Sequence, residues 1–253
     1  MKKKGIKVSG GLRTSDEQVE ASLNKECFDN NPASWEVKME NFPKYVKRQN
    51  LTRFLAMYEI FKLVIDVKGS IVECGVNHGF GTMAWSKFSA ITEPVNLTRR
   101  IYGFDTFEGF PSVSDIDMSA SSDHVKVGDL AVNSMEEILK LSEIQDKTRF
   151  LGHIPKIELI KGDAIKTIPK FVIDNPHVLI SLLFLDFDLY QPTKVALEEL
   201  VPLMPKGAVI AFDELDNPLW PGETQAMLEF FKDNKLRIQR IPFDPYIGYA
   251  IIE

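Results

Sequence analysis

The sequence predicts a doubly wound α/β fold, a Rossmann-like sheet of mostly parallel strands finished by an antiparallel C-terminal hairpin. Three observations carry that prediction. Apolar runs of strand length alternate with helix-periodic segments between residues 51 and 233, the pattern of parallel strands joined by right-handed crossovers. Three of those runs stop at an acid: Ile71-Val72-Glu73-Cys74-Gly75, Tyr102-Gly103-Phe104-Asp105 and Phe184-Leu185-Asp186-Phe187-Asp188. An acid is costly to desolvate unless it meets a partner, so its repeated use at strand ends points to a ligand cleft along one edge of the sheet. The last apolar segments, 236–242 and 246–252, are separated by little more than Asp244-Pro245. That is too short for a crossover helix, so they pair as a hairpin at one edge.

Each element has its own signal. Residues 1–50 mix Gly, Asn and charge with Phe28, Trp35, Phe42 and Tyr45, which suits an arm or lid. Residues 51–253 then form a single domain. Leu51, Phe54, Leu55, Tyr58, Phe61 and Ile65 recur at helical spacing, predicting an amphipathic helix that ends at Gly69. Beyond it the pattern gives strands over 70–76, 100–105, 157–161, 179–186 and 207–213. Helices are expected near 80–91, 134–144, 164–173, 192–201 and 223–233. The interval 106–133, rich in Ser, Asp and Gly, lacks periodicity and is either a functional insertion or partly disordered.

With 253 residues, 44% hydrophobic and 26% charged, the chain can bury a large core as one domain. A formal charge of -6 argues against broad binding to phosphate backbones, since Lys2 to Lys4 form a short tip rather than a basic face. Nucleic acid is therefore not an expected partner. No stretch approaches the ~20 apolar residues of a membrane span, and no apolar segment follows Lys2 to Lys4 as in a signal peptide. Cys27 and Cys74 are the two cysteines, with no zinc-type spacing. The expectation is a soluble cytoplasmic protein.

The first strand leads into Gly75, Gly79 and Gly81, a loop in which missing side chains let a ligand approach the backbone. Its spacing departs from G-x-G-x-x-G, which disfavours a dinucleotide. Glu73 is the stronger clue: a carboxylate there repels pyrophosphate yet suits the ammonium of an amino acid or water bound to it. That points to S-adenosylmethionine. Asp105 then fits the acid that accepts hydrogen bonds from ribose hydroxyls. Asp163, in Gly162-Asp163-Ala164, is placed either to bond an adenine amino group or to cap the next helix. The residues expected to border the donor are Glu73, Gly75, Asn77, His78, Gly79, Gly81, Asp105, Thr106, Gly162, Asp163, Ala164 and Asp186.

A period of two sends Asp186 and Asp188 to one side of their strand. The following strand, Ala208 to Phe212, ends in Asp213-Glu214, so neighbouring strands bring four acids into one volume. A divalent cation relieves their repulsion. Hard oxygen donors favour Mg²⁺, with Mn²⁺ or Ca²⁺ as competitors. His78, His124, His153 and His177 share no ligand spacing; His124 and His153 remain candidates for substrate contact.

At this point the chain resembles the metal-dependent sugar O-methyltransferases typified by the macrocin, mycinamicin and noviose methyltransferases. The resemblance rests on Ile71 to Gly81, Tyr102 to Pro111 with its Asp-Thr-Phe-Glu-Gly-Phe-Pro string, Leu185 to Tyr190, and Gly207 to Glu214. It implies a class I methyltransferase fold, Mg²⁺ held by Asp186, Asp213 and Glu214, Asp188 as general base, and a homo-oligomer. The family usually has two aspartates where this chain has Asp213-Glu214, and often a glycine at the place of Phe187. Trp220-Pro221-Gly222-Glu223-Thr224 looks like the family's substrate-side segment or is a simple helix start.

The expected activity is Mg²⁺-dependent transfer of a methyl group from S-adenosylmethionine to a deoxysugar hydroxyl, on a nucleotide-activated sugar or a glycosylated natural product. A catechol-type O-methyltransferase, a nicotinamide reductase and a catalytically idle cofactor-binding assembly protein are the alternatives.

Overall fold

The computed structural model describes residues 15–118 and 125–253. In chain order the helices are α1 (Ser15–Asn30), α2 (Trp35–Glu40), α3 (Arg48–Leu63), α4 (Phe80–Thr92), α5 (Asp115–Met118), α6 (Met135–Asp146), α7 (Ala164–Asp174), α8 (Tyr190–Leu200) and α9 (Pro221–Phe230). The strands are β1 (Ser70–Cys74), β2 (Ile101–Asp105), β3 (Ile157–Lys161), β4 (Ile180–Leu185), β5 (Val209–Phe212), β6 (Gln239–Arg240) and β7 (Gly248–Ile251).

The described residues form one seven-stranded sheet in the order β3-β2-β1-β4-β5-β7-β6. The first five strands are parallel and β7 runs antiparallel to both β5 and β6. The order reverses between β1 and β4, so the helices that follow these two strands leave on opposite faces and open a crevice at their carboxyl ends. Central strands β1, β4 and β5 are buried along their whole length, as a sheet covered on both faces requires.

Each face has its own core. On one side Ile168, Phe171, Ala196, Leu197, Leu200 and Ala226 pack on Val72, Phe104, Leu183 and Ile210. On the other, Ala56, Met57, Ile60, Phe61, Trp85 and Phe88 pack on Ile71, Leu182 and Val209. Phe54, Tyr58 and Phe61 of α3 all meet the ring of Phe88 in α4, with centroids 4.8, 5.2 and 5.7 Å away.

The structure redraws three expectations. The buried face of α3 carries Ala56, Met57, Ile60 and Phe61, with Phe54, Tyr58 and Ile65 packed beside it; Leu55 departs from the expected stripe and is 52% exposed. The C-terminal strands are shorter than 236–242 and 246–252, since Asp244 closes a turn by accepting from the amides of Tyr246 (2.9 Å) and Ile247 (3.0 Å). The interval after β2 has regular contacts where it is described: Gly128 donates to the Phe110 carbonyl (2.9 Å) and Phe110 to that of Asp129 (3.1 Å), so segments near its two ends pair. No described helix is long and apolar enough to cross a membrane.

Arg99 locks the end of the sheet remote from the crevice. Its fully buried guanidinium donates to Ser181 Oγ (2.6 Å) and to the carbonyls of Val64, Ile65 and Val67 (2.9, 3.2 and 3.0 Å), and Nε lies 2.8 Å from Glu93. Removing it takes the paired cation from Glu93 and a donor from several carbonyls. Arg99→Ala is expected to lower unfolding free energy by about 3–5 kcal/mol, measured by urea denaturation; a loss below about 1 kcal/mol would show that the network is replaceable.

Candidate active site

The first loop is shaped by backbone contact. Asp186 donates its amide to the Cys74 carbonyl (2.7 Å), which presses the chain after β4 against Gly75. A Cβ on Gly75 would overlap the Asp186 carbonyl oxygen, and its φ of +99° is one that L side chains rarely adopt, so only glycine fits this crossing. Gly81 likewise makes room for the Glu73 carboxyl. Glu73 is buried and accepts from the Thr82 hydroxyl. Burial pushes its carboxyl up to about 8, although Thr82 and then Arg53 pull the other way.

Asp105 is occupied in a way that sequence did not show. One carboxylate oxygen accepts from the amides of Val76 and Asn77, both at 2.8 Å, and the other from Phe107 at 2.7 Å. It therefore ties the loops after β1 and β2 together. Thr106 closes the second of these by donating to the Gly109 carbonyl (2.6 Å). Asp163 caps α7 by accepting from the Ile165 amide (3.1 Å), which establishes the cap role.

Two cavities meet at Gly75, Asn77 and Asp186. Counting the space open to solvent, the larger spans about 750 Å³ and reaches Asp105, Thr106, Gly162, Asp163, Ala164 and Asp188. The smaller by that measure, about 600 Å³, is bordered by Arg53, Met57, Glu73, His78, Gly81 and Phe184. Gly79 sits at the start of α4 with φ +80°, packed on Ile138. Of the remaining histidines, His153 and His177 border neither cavity, and His124 lies outside the described residues.

The acids after β4 and β5 converge, but not by strand alternation. β4 ends at Leu185, and Leu189 donates to the Phe187 carbonyl (2.7 Å) across Asp188, which holds a φ of +63°. This γ-turn, an uncommon conformation for a residue with a side chain, aims Asp188 into the larger cavity. Asp188 is held well above the usual carboxylate range by burial and by Glu214 and Asp213. Asp186 is raised by burial and by Asp213. Glu214 is pushed up to about 7 by burial and by Asp213.

Sequence reasoning missed the cation among them. Arg53, from α3, donates Nη1 to Asp213 and approaches Asp186 Oδ2 with Nη2 at 3.4 Å. Its guanidinium carbon lies 5.4 Å from the Phe184 ring centroid. Burial opposes its charge, yet Asp213 and then Asp186 outweigh that and raise its pKa. The available signal was positional: Arg53, Met57, Ile60 and Val64 follow one helical stripe, so a guanidinium heads an otherwise apolar face.

Two further acids join the site, Glu223 from the segment expected on the substrate side or as a helix start, and Asp117, which no sequence signal marked. Glu223, fully buried in α9, accepts from the Glu214 amide (2.8 Å), while its other oxygen has no partner among the described residues. Burial holds that carboxyl well above its ordinary range. Asp117 of α5 accepts from Ser114 and from the Tyr190 amide (2.8 Å), pinning this part of the long loop over the start of α8. A Cβ at Gly222 would overlap Asp117. Trp220 packs its ring edgewise on Phe110, centroids 6.0 Å apart.

The donor set suits a hard divalent cation: Asp186, Asp213 and Glu214 offer oxygen only, carry mutual repulsion, and have the unpartnered Glu223 oxygen nearby. As placed, no group of three or more His, Cys, Asp or Glu side chains among the described residues could hold a metal ion; the Asp186 and Asp213 carboxylates meet Arg53 instead.

Residues 46–245 match the family described as Macrocin-O-methyltransferase (TylF). The chain belongs to that family. It is similar to the crystal structure of CalS11, calicheamicin methyltransferase, at 33% identity and a TM-score of 0.90, over 94% of this chain and 93% of that one. The apo structure of CalS11, TDP-rhamnose 3′-O-methyltransferase, is 31% identical with a TM-score of 0.80, over 94% and 95% of the two chains. NovP, an O-methyltransferase, shares the fold at 19% identity and a TM-score of 0.60, over 93% and 97%. No curated protein sequence matches. The protein is thus an O-methyltransferase of a sugar-modifying family, built on the class I methyltransferase fold.

The burial of Glu73 has a consequence for stability. Its carboxyl keeps a proton up to about pH 8 in the folded chain, against an ordinary value of 4.5. Its contribution to folding is therefore full below pH 4.5 and falls as pH rises to about 8. In Glu73→Gln that decline should be shallower than in the wild type, by on the order of 1–3 kcal/mol across the window. Chemical denaturation at pH 5 and pH 8 measures it, and equal declines in both proteins would refute the assignment.

Proposed function

We propose that the protein transfers the methyl group of S-adenosylmethionine to a hydroxyl of a deoxysugar, with the sugar carried on a nucleotide, in a Mg²⁺-dependent reaction. The observation that carries this reading is the electrostatic clustering of Asp186, Asp188, Asp213 and Glu214, of which Asp186 and Asp188 line the larger cavity. The relative described as a TDP-rhamnose 3′-O-methyltransferase supports the acceptor class. In this reading the protein works in the cytoplasm as a homo-oligomer, with residues 1–50 as an arm or lid.

The donor's amino-acid end suits the smaller cavity, because Arg53 borders it with a positive charge for the carboxylate and Glu73 with a buried carboxyl that can accept from the ammonium. Its nucleoside suits the larger one, where Asp105, Thr106, Gly162, Asp163 and Ala164 lie. Asn77, His78, Gly79 and Gly81 complete the wall between strand and helix. Asp186, Asp213 and Glu214 would hold Mg²⁺. The cation would supply charge stabilisation for the hydroxyl as it loses its proton, which a sugar hydroxyl at neutral pH needs.

Asp188 is the base in this proposal. Its turn places the carboxylate on the cavity wall rather than in the strand, and the positive charge gathered by its neighbours would bring its raised pKa down toward the working pH. Asp105 and Asp117 act by position: one holds the donor loop, the other holds α5 over the acceptor side.

Purified protein incubated with TDP-linked deoxysugars and labelled S-adenosylmethionine is expected to methylate at least one of them, to stop with excess chelator and to resume with Mg²⁺. Full turnover in chelator would remove the cation from the reading, and methylation of simple catechols alone would remove the sugar. Asp188→Asn should bind the donor normally while kcat falls by about 10²- to 10⁴-fold. Unchanged kcat would remove Asp188 as base.

A further inference from the structure

Arg53 belongs to two sites at once. It contacts Asp213 and Asp186, the carboxylates proposed for the cation, and it also borders the smaller cavity proposed for the donor's amino-acid end. Its hold on Asp186 is loose at 3.4 Å. The guanidinium is steadied by the face of the Phe184 ring, and such a contact leaves the N–H edges able to change partner. A divalent cation on Asp186 and Asp213 would repel a guanidinium beside it. A buried guanidinium released from one anion must find another.

With Asp186 taken by a cation, the smaller cavity would have no such anion left to offer. Its other carboxyl group, Glu73, is buried against Thr82 and Gly81. A donor's α-carboxylate would provide the missing charge in a form that a guanidinium fork matches with two parallel bonds.

We propose that Arg53 couples cation and donor binding: it spans Asp186 and Asp213 in the cation-free protein and turns to the donor's carboxylate when a divalent cation takes those two acids. This rests on the cation and donor assignments above. Each ligand then favours the arrangement that the other needs, and linkage makes the effect reciprocal. The donor relieves the cation of its competitor, and the cation frees the group that binds the donor.

Calorimetric titration of Mg²⁺ into the full-length protein tests this without turnover, in the absence of ligand, with S-adenosylhomocysteine, and with methylthioadenosine, which lacks the carboxylate. S-adenosylhomocysteine is expected to tighten Mg²⁺ binding by about tenfold, whereas methylthioadenosine should leave it within about twofold. In Arg53→Gln, ligand-free Mg²⁺ binding should be tighter than in the wild type and the effect of S-adenosylhomocysteine should disappear. Arg53→Lys, which keeps charge but not the fork, should retain only part of it. Equal tightening by both nucleosides, or undiminished coupling in Arg53→Gln, would overturn the inference while leaving the cation site intact. Wild-type protein that binds no Mg²⁺ even with S-adenosylhomocysteine would instead overturn the cation assignment and this inference with it. Should Arg53→Gln fail to fold, the wild-type comparison of the two nucleosides still decides.

Discussion

Mutual repulsion among buried carboxyls at the ends of β4 and β5 is the constraint around which the rest of the site is arranged. Asp186, Asp188, Glu214 and Glu223 all have raised pKa values, with burial as the largest cause and neighbouring acids next. Such a group is stable only with a cation or a proton to offset it. Arg53 supplies the cation within the chain, and its own charge is held firmly by Asp213 and Asp186. The site is thus compact but electrostatically unfinished, a state suited to taking up positive charge from outside.

The scaffold fixes these acids by backbone rather than by side-chain packing. Gly75 lets the chain after β4 cross close to the end of β1, so Asp186 is placed by an amide hydrogen bond. Asp188 is set by a tight turn with positive φ, Glu214 by Glu223 clasping its amide, and the loop above by Asp117 bonding the first amide of α8. Each restraint acts on a peptide group, whose position is far less free than that of a long side chain. This explains how a site of repelling charges keeps one geometry.

Much of the architecture was legible because it follows from local period. Buried parallel strands read as unbroken apolar runs, as in Leu182 to Leu185, and helices announce themselves by a 3.6-residue stripe. The strand ends at Cys74, Asp105, Lys161 and Leu185 fell within two residues of expectation. Segments stabilised by tertiary contact were harder to see. On α3 Leu55 turns outward although Phe54, Tyr58 and Phe61 beside it meet α4, and the helices α1 and α2 lie in a stretch whose mixed composition suggested no regular element. The four-residue α5 is held by Asp117 and Ser114 rather than by any run of helix formers.

What the sequence determined by itself was the order of strands and helices, the family, and the acids that end the strands, since each depends on neighbours a few positions away. It did not disclose the partners of those acids. Arg53 lies 133 residues from Asp186 and 160 from Asp213, and nothing in local spacing connects them. Asp105 looked free to meet a ligand, yet amides 28 and 29 positions away claim one of its oxygens. Only the crossing of distant segments at the sheet's switch point decides which charges meet, because Coulomb attraction and desolvation depend on distance through space rather than along the chain.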